Sequence, residues 1–262
     1  MHNKNNSTRD DVRIGNFTPG PSFVEEFSSN VLYEDNHLLG LYKPAGLLVQ
    51  GDHTGRPSLL DMAKHWLKLK YQKPGNVFLG MVHRVDCPVG GVVMFARTSK
   101  AAARLSAQIR NRTITKIYQA VVHGRIDPWL GVLKASLVRK GRKTIVEDPD
   151  DRTGQYAHLS YRTIETTEDF SLLEIRLVTG RRHQIRAQLA AKGHPILGDT
   201  RYGSQFRLGS HTIALLGKIF TCQHPTKSIS ITLEAPLPHD WPWPPENSLN
   251  LPFEKQTPKV FI

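Results

Sequence analysis

Residues 81–91, MVHRVDCPVGG, place a histidine, an arginine and an aspartate within four positions, just ahead of a proline and two glycines. Two apolar residues lead in and the run Val92-Val93-Met94-Phe95 leads out, so the stretch reads as a tight turn feeding a buried strand. Those residues alone allow two readings. One is an ordinary turn with a local Arg84–Asp86 pair; the other is a loop that presents the Asp86 carboxylate to a substrate. The rest of the chain separates them.

The 262 residues are enough for one or two domains with a full core, and 39% hydrophobic with 22% charged residues is ordinary for a globular protein. No apolar window approaches the eighteen residues a membrane helix needs, and the polar N-terminus lacks the apolar stretch of a signal peptide. Only Cys87 and Cys222 could pair, so no disulfide framework is expected and a cytoplasmic location is. The net charge of +12 is unevenly spread. Residues 1–86 hold ten Lys/Arg against nine Asp/Glu, whereas residues 87–146 hold twelve against Asp127 alone. Residues 175–233 hold nine against Asp199 alone. Long basic stretches poor in acids suit a polyanion, because each phosphate neutralised releases counterions.

Residues 1–30 read as a polar arm. A hairpin follows in VLYEDNHLLGLYK, then a helix opened by Ser58 with Asp61 in the capping-box position. GVVMFAR reads as a strand, KAAARLSAQIRN as a helix capped by Thr98-Ser99, and ITKIYQAVV as a strand through Tyr118. The polar segment 138–154 reads as a loop or short hairpin, and AHLSYRTIE and FSLLEIRLVTG as adjacent strands. RRHQIRAQLAAKG then reads as a helix stopped by Gly193, with Arg182 and Arg186 one turn apart on the solvent side. TIALLG and SISITLEA add two strands, and the proline-rich residues 236–262 form a tail. Without strict β-α-β alternation, the expectation is an α+β fold with a mixed, largely antiparallel sheet flanked by helices and loops. One folded domain is expected over residues 31–235, the catalytic domain of the resemblance given below.

Common cofactor routes find no support. No two of the twelve histidines lie three or four residues apart, Cys222-x-His224 is an isolated pair, and no zinc set is expected. There is no phosphate-binding glycine loop and no G-x-S-x-G elbow. Two clusters remain: HRVD at 83–86, and TGRRHQIR, where three arginines and a histidine gather as strand passes into helix.

Taken together, HRVD, KIYQAVV at 116–122 and VTGRRHQIRAQL at 178–189 resemble the three signature motifs of RluA-type pseudouridine synthases. EDNHLLGLYKPAGLLVQ and HPILGDTRYG resemble that family's flanking motifs, so the likeness runs in order from Val31 to Glu234. It implies isomerisation of uridine to pseudouridine in structured RNA, ribosomal or transfer, without metal or other cofactor. It implies that Asp86 is the catalytic carboxylate that starts glycosidic cleavage and that Arg186 pairs with it. Tyr118 is implied to stack on a flipped base, and Arg84 to support the extruded nucleotide. His83, Arg182 and His183 are expected as further substrate contacts, and the GDTRYG segment as structural, with Tyr202 beneath the site. Three departures stand out: Val85 replaces a leucine, Cys87 an arginine, and Gly90-Gly91 a Ser-Gly pair. No S4-like RNA-binding module fits in the arm, so the catalytic domain is expected to bind its substrate unaided.

Two rivals are open at this level. A non-catalytic RNA-binding protein on the same scaffold would not require Asp86, Tyr118 and Arg186 together. A hydrolase pairing Asp86 with His83 or His183 would want a second carboxylate, and no acid adjoins either basic motif in sequence.

Overall fold

A computed structural model of the chain describes residue 20, residues 22–209 and residues 212–243. Helix α1 (Phe23–Ser28) lies inside the stretch expected to be a polar arm. Phe23 and Phe27 are buried against Trp66 of α2 (Leu59–Lys70), whose indole N–H donates to the Val24 carbonyl at 3.2 Å. Six residues are too few to show apolar periodicity, and packing holds the helix instead. The remainder of the arm, and the tail beyond Trp243, lie outside the described residues.

The first hairpin pairs β1 (Val31–Glu34) with β2 (Leu38–Lys43). Its turn is fixed by Asp35, which accepts the backbone N–H groups of His37 and Leu38, both at 2.8 Å. Ser58 caps α2 as expected, accepting from Asp61 N. Beyond α2 come β3 (Gly80–Met81), β4 (Gly90–Ala96), α3 (Ser99–Arg110) and β5 (Thr115–His123), with Thr98 capping α3. Strands β6 (Leu130–Lys140), β7 (Lys143–Glu147), β8 (Gln155–Thr166) and β9 (Phe170–Leu177) follow, then α4 (Gln184–Ala191), β10 (Leu215–Gln223) and β11 (Ser230–Glu234).

All eleven strands join one sheet with the path β1-β2-β4-β10-β5-β9-β8-β6-β7, β3 and β11 attaching at β4 and β10. Every pairing is antiparallel except β4 with β10, which meet in parallel at Gly90–Leu216 and Gly91–Gly217. The fold is the α+β arrangement with a largely antiparallel sheet that the sequence pattern predicts. β4 is buried on both faces. Val93 and Phe95 enter the core shared with α2 and α4, while Val92 and Met94 enter the core shared with α3.

Two elements exceed their expected bounds. The hairpin alternative for segment 138–154 holds, with the turn between Lys140 and Lys143, but its first strand, β6, already begins at Leu130. β10 runs on through KIFTCQ to Gln223, pairing with β5 and β11.

Candidate active site

Asp86 sits in the loop between β3 and β4, where its carbonyl accepts Val89 N–H at 3.0 Å. Val85 and Val89 are buried on either side and peg the loop to the core, leaving the Asp86 side chain 29% exposed. The next residue is tied down from behind. The Lys43 ammonium donates to the carbonyls of Pro44, Leu47 and Cys87 at 2.9, 2.8 and 3.1 Å, and Gly46 N–H also reaches the Cys87 carbonyl. Burial pushes the Lys43 pKa down to about 8, with the neighbouring Cys87 and Asp86 acting in the opposite sense. Sequence patterning marks Lys43 only as the end of a strand.

The Asp86 carboxylate opens into a cleft of about 930 Å³ whose lining includes Arg84, Lys116, Tyr118 and the loop 179–186. Three of the expected residues converge there. Arg186 Nη1 donates to Asp86 Oδ2 at 3.3 Å, His183 Nε2 stands 3.6 Å from the same oxygen, and Tyr118 lies alongside. Burial and then the Asp86 charge push the Tyr118 phenol up, so it stays protonated at neutral pH.

The expected helical stripe of Arg182 and Arg186 does not form. His183 takes a left-handed conformation (φ 53°) and α4 starts only at Gln184, so Arg182 lies in the turn before the helix. Arg182 is exposed, with its guanidinium 3.5 Å from the Arg142 carbonyl, whereas Arg186 is 3% exposed. Residues 184–189 are all buried, as suits a helix set between elements rather than on a surface. Burying Arg186 requires a partner, and Asp199 provides it. Nε and Nη2 of Arg186 donate to the two Asp199 carboxylate oxygens at 2.6 and 2.8 Å, and Asp199 is 1% exposed. The two-pronged face of the guanidinium therefore belongs to Asp199, and Asp86 receives a single contact. Burial opposes the Arg186 charge, but these carboxylates outweigh it and hold the group protonated. The acid absent from the flanking sequence is thus present in space. The signal for it was its isolation, as the one acid between Ile175 and Leu233.

Tyr202 underlies the site as expected. Its ring lies 5.0 Å from the Arg186 guanidinium carbon, and its hydroxyl meets His183 Nδ1 at 2.9 Å while accepting Thr144 N–H at 2.8 Å. The Asp86 carboxylate can only accept, so the tautomer that suits both neighbours takes the Tyr202 proton at Nδ1 and carries its own proton on Nε2, facing Asp86. Burial lowers the His183 pKa to about 4; Asp86 opposes the shift, and Arg186, Arg182 and Arg201 add to it. The ring is neutral at pH 7.

His83 lines the same cleft, but its ring is engaged by the fold. Its Nε2 accepts Met94 N–H at 2.9 Å, its ring stacks on Phe220 at 4.7 Å, and burial followed by Lys116 pushes its pKa down. Arg84 is exposed on the cleft rim. Among the described residues, no group of three or more His, Cys, Asp or Glu could hold a metal ion, and no helix is long and apolar enough to cross a membrane.

Residues 37–191 match the family of RNA pseudouridylate synthases. Ribosomal large subunit pseudouridine synthase D of Pseudomonas aeruginosa is 32% identical over 243 residues, covering 86% of this chain and 73% of that protein. The corresponding synthase C of Vibrio parahaemolyticus is 30% identical over 241 residues, covering 91% and 70%. Among solved structures, human RNA pseudouridylate synthase domain containing 4 shares the fold with a TM-score of 0.69 at 22% identity, over 82% of this chain and 91% of that one. The match over more than half of the chain, and relatives at 30% identity or above over most of both lengths, decide the matter: the chain belongs to the RNA pseudouridylate synthase family.

Proposed function

We propose that this enzyme isomerises uridine to pseudouridine in the RNA of the large ribosomal subunit, with Asp86 as the catalytic carboxylate. The observation that carries this reading is the convergence of Asp86, Arg186 and Tyr118 on one cleft from three separate elements. The names of the relatives support ribosomal RNA as substrate, and an RNA substrate together with two free cysteines supports work in the cytoplasm.

In the reaction the C1′–N1 bond breaks, the uracil turns, and C1′ rejoins at C5. The C5 proton leaves and N1 gains one, so no oxidant or cofactor is consumed. A target inside folded RNA must first leave its stack. The Tyr118 ring forms a platform for the extruded base, and Arg84 on the rim takes up the position the base vacates. Arg186 orients Asp86 through Nη1, and the neutral His183 presents Nε2–H to the same carboxylate from the second side. Arg182 extends toward the RNA backbone. His83 acts as scaffold, holding β4 to the loop that carries Asp86.

Asp86→Asn is the direct test. The amide keeps the shape of the side chain but lacks its charge and nucleophilicity. Pseudouridine formation is expected to vanish in single-turnover assays while RNA affinity stays within about threefold, since phosphate contacts dominate binding. Turnover comparable with wild type would remove Asp86 from the mechanism.

A further inference from the structure

One wall of the cleft carries cations that the chemistry above leaves unused. Lys116 and Tyr118 alternate on the same face of β5, and both line the cleft. The Lys116 ammonium lies 3.9 Å from where a β-carbon would stand at Gly180, so it faces the loop that leads to Arg181 and Arg182. Arg110 ends α3, Arg112 follows in the turn to β5, and both are exposed along the same cleft. None of the three makes a side-chain hydrogen bond or ion pair with any described residue. Burial alone lowers the Lys116 pKa, with no carboxylate to compensate.

The backbone at Arg112 points the same way. The end of α3 is closed by Thr113 N–H bonding to the Gln108 carbonyl and Arg112 N–H to the Ile109 carbonyl, which puts residue 112 in the left-handed conformation at φ 57°. Glycine takes that conformation without steric cost and is the common residue at this position of a helix end. An arginine there is strained, and its side chain makes no hydrogen bond or ion pair among the described residues. The backbone strain is thus accepted at a residue whose side chain lines the cleft, which motivates a functional reading of that side chain.

We infer that Arg112, Lys116 and Arg110 form a phosphate-binding wall that carries the RNA backbone beside the target uridine. The inference rests on RNA being the substrate. The wall stands next to Tyr118 and leaves Asp86, Arg186 and His183 to the target nucleotide itself. Its cations carry no sequence information; they fix the register of the strand so that the base over Tyr118 is the one presented to Asp86.

The test uses Arg112→Gly, Lys116→Met and, as a charge control outside the cleft, Lys68→Ala on the exposed side of α2. Equilibrium binding to large-subunit ribosomal RNA, prepared from cells lacking this protein, is measured across a range of monovalent salt. Arg112→Gly and Lys116→Met are each expected to weaken binding about three- to tenfold near 0.1 M salt and to flatten the log–log salt slope by about 0.7 to 0.9. Lys68→Ala should leave the slope in place. Because glycine relieves the strain, Arg112→Gly should melt at or above the wild-type temperature, so weaker binding cannot be blamed on misfolding. Wild-type slopes in both cleft variants would overturn the wall. A wild-type protein that binds this RNA without making pseudouridine would instead overturn the functional reading, and the slope comparison would still judge the wall.

Discussion

At the scale of single residues, the catalytic proposal turns on how one guanidinium serves two carboxylates. If Arg186 had Asp86 as its sole partner, it would become an unpaired buried cation whenever Asp86 lost its charge during the reaction. Removing one member of a buried pair costs about 3–5 kcal/mol. Asp199 prevents this, because its two contacts at 2.6 and 2.8 Å persist whatever happens at Asp86. Arg186→Lys keeps the charge but cannot form the fork, and it is expected to slow single-turnover pseudouridine formation by at least about tenfold, or roughly 1.4 kcal/mol. Asp199→Asn should slow it comparably, with RNA affinity nearly intact. The double variant should be little slower than the worse single one, because both changes break the same unit. Rates that multiply instead would show Asp199 acting independently of Arg186. The Arg186–Asp86 pair was legible from the motifs, whereas the direction of the fork was not. Asp199 lies thirteen residues beyond Arg186, and only the fold brings the two side chains together.

At the scale of elements, legibility followed local chemistry. The α2 and α3 caps and the β1–β2 turn carry their signals in the side chains that make the bonds, and they form where expected. β6 was missed at its start because Trp129, Leu130 and Val132 remain exposed, so its alternation does not separate a core face from a wet one. The start of α4 was misplaced because Gln184 closes the preceding turn through its side-chain oxygen, accepting Arg181 N–H and the Thr179 hydroxyl. The β1–β2 turn yields a quantitative expectation. Burial raises the Asp35 pKa, but two backbone N–H donors, His224 and Tyr33 outweigh it and leave the carboxyl well below the usual aspartate range. His224 Nε2 stands 2.7 Å from Asp35 Oδ2, tying this turn to the end of β10. Asp35→Ala is therefore expected to cost about 2–3 kcal/mol at neutral pH in urea unfolding. A lowered folded-state pKa means the contribution is complete above the unfolded value near 4 and is lost as pH falls toward the folded one. The gap between wild type and variant should hold from pH 7 to pH 5 and narrow below pH 4. A gap that grew as pH fell would reverse the assignment.

At the scale of the molecule, the candidate active site sits on a seam. Strands β1 to β4 come from the first hundred residues and β5 to β9 from the middle of the chain, and β10 returns from the far end to join them. The parallel contact between β4 and β10 is only two residue pairs long, and it lies between Asp86 on one side and Tyr118 on the other. Such a join depends on how closely the backbones approach. A β-carbon on Gly91 would stand 2.5 Å from the Gly217 carbonyl oxygen and 2.6 Å from its Cα, and the backbone there has φ 134°, which favours glycine. Gly90 is different, because a β-carbon there would meet Leu216 Cδ1 at 3.4 Å and the Lys43 carbonyl oxygen at 3.5 Å, both ordinary contacts. The two glycines of CPVGG look alike in sequence, but only the second is required by the seam. Gly91→Ala should cost about 2–4 kcal/mol by combining overpacking with backbone strain. It should also lower turnover at temperatures where the variant remains folded, because separating β4 from β10 moves Asp86 away from Tyr118. Gly90→Ala should stay within about 1 kcal/mol of wild type and retain activity. Urea unfolding of both variants, with single-turnover rates measured well below each midpoint, separates the positions; equal behaviour at 90 and 91 would mean that the seam does not set the distance between Asp86 and Tyr118.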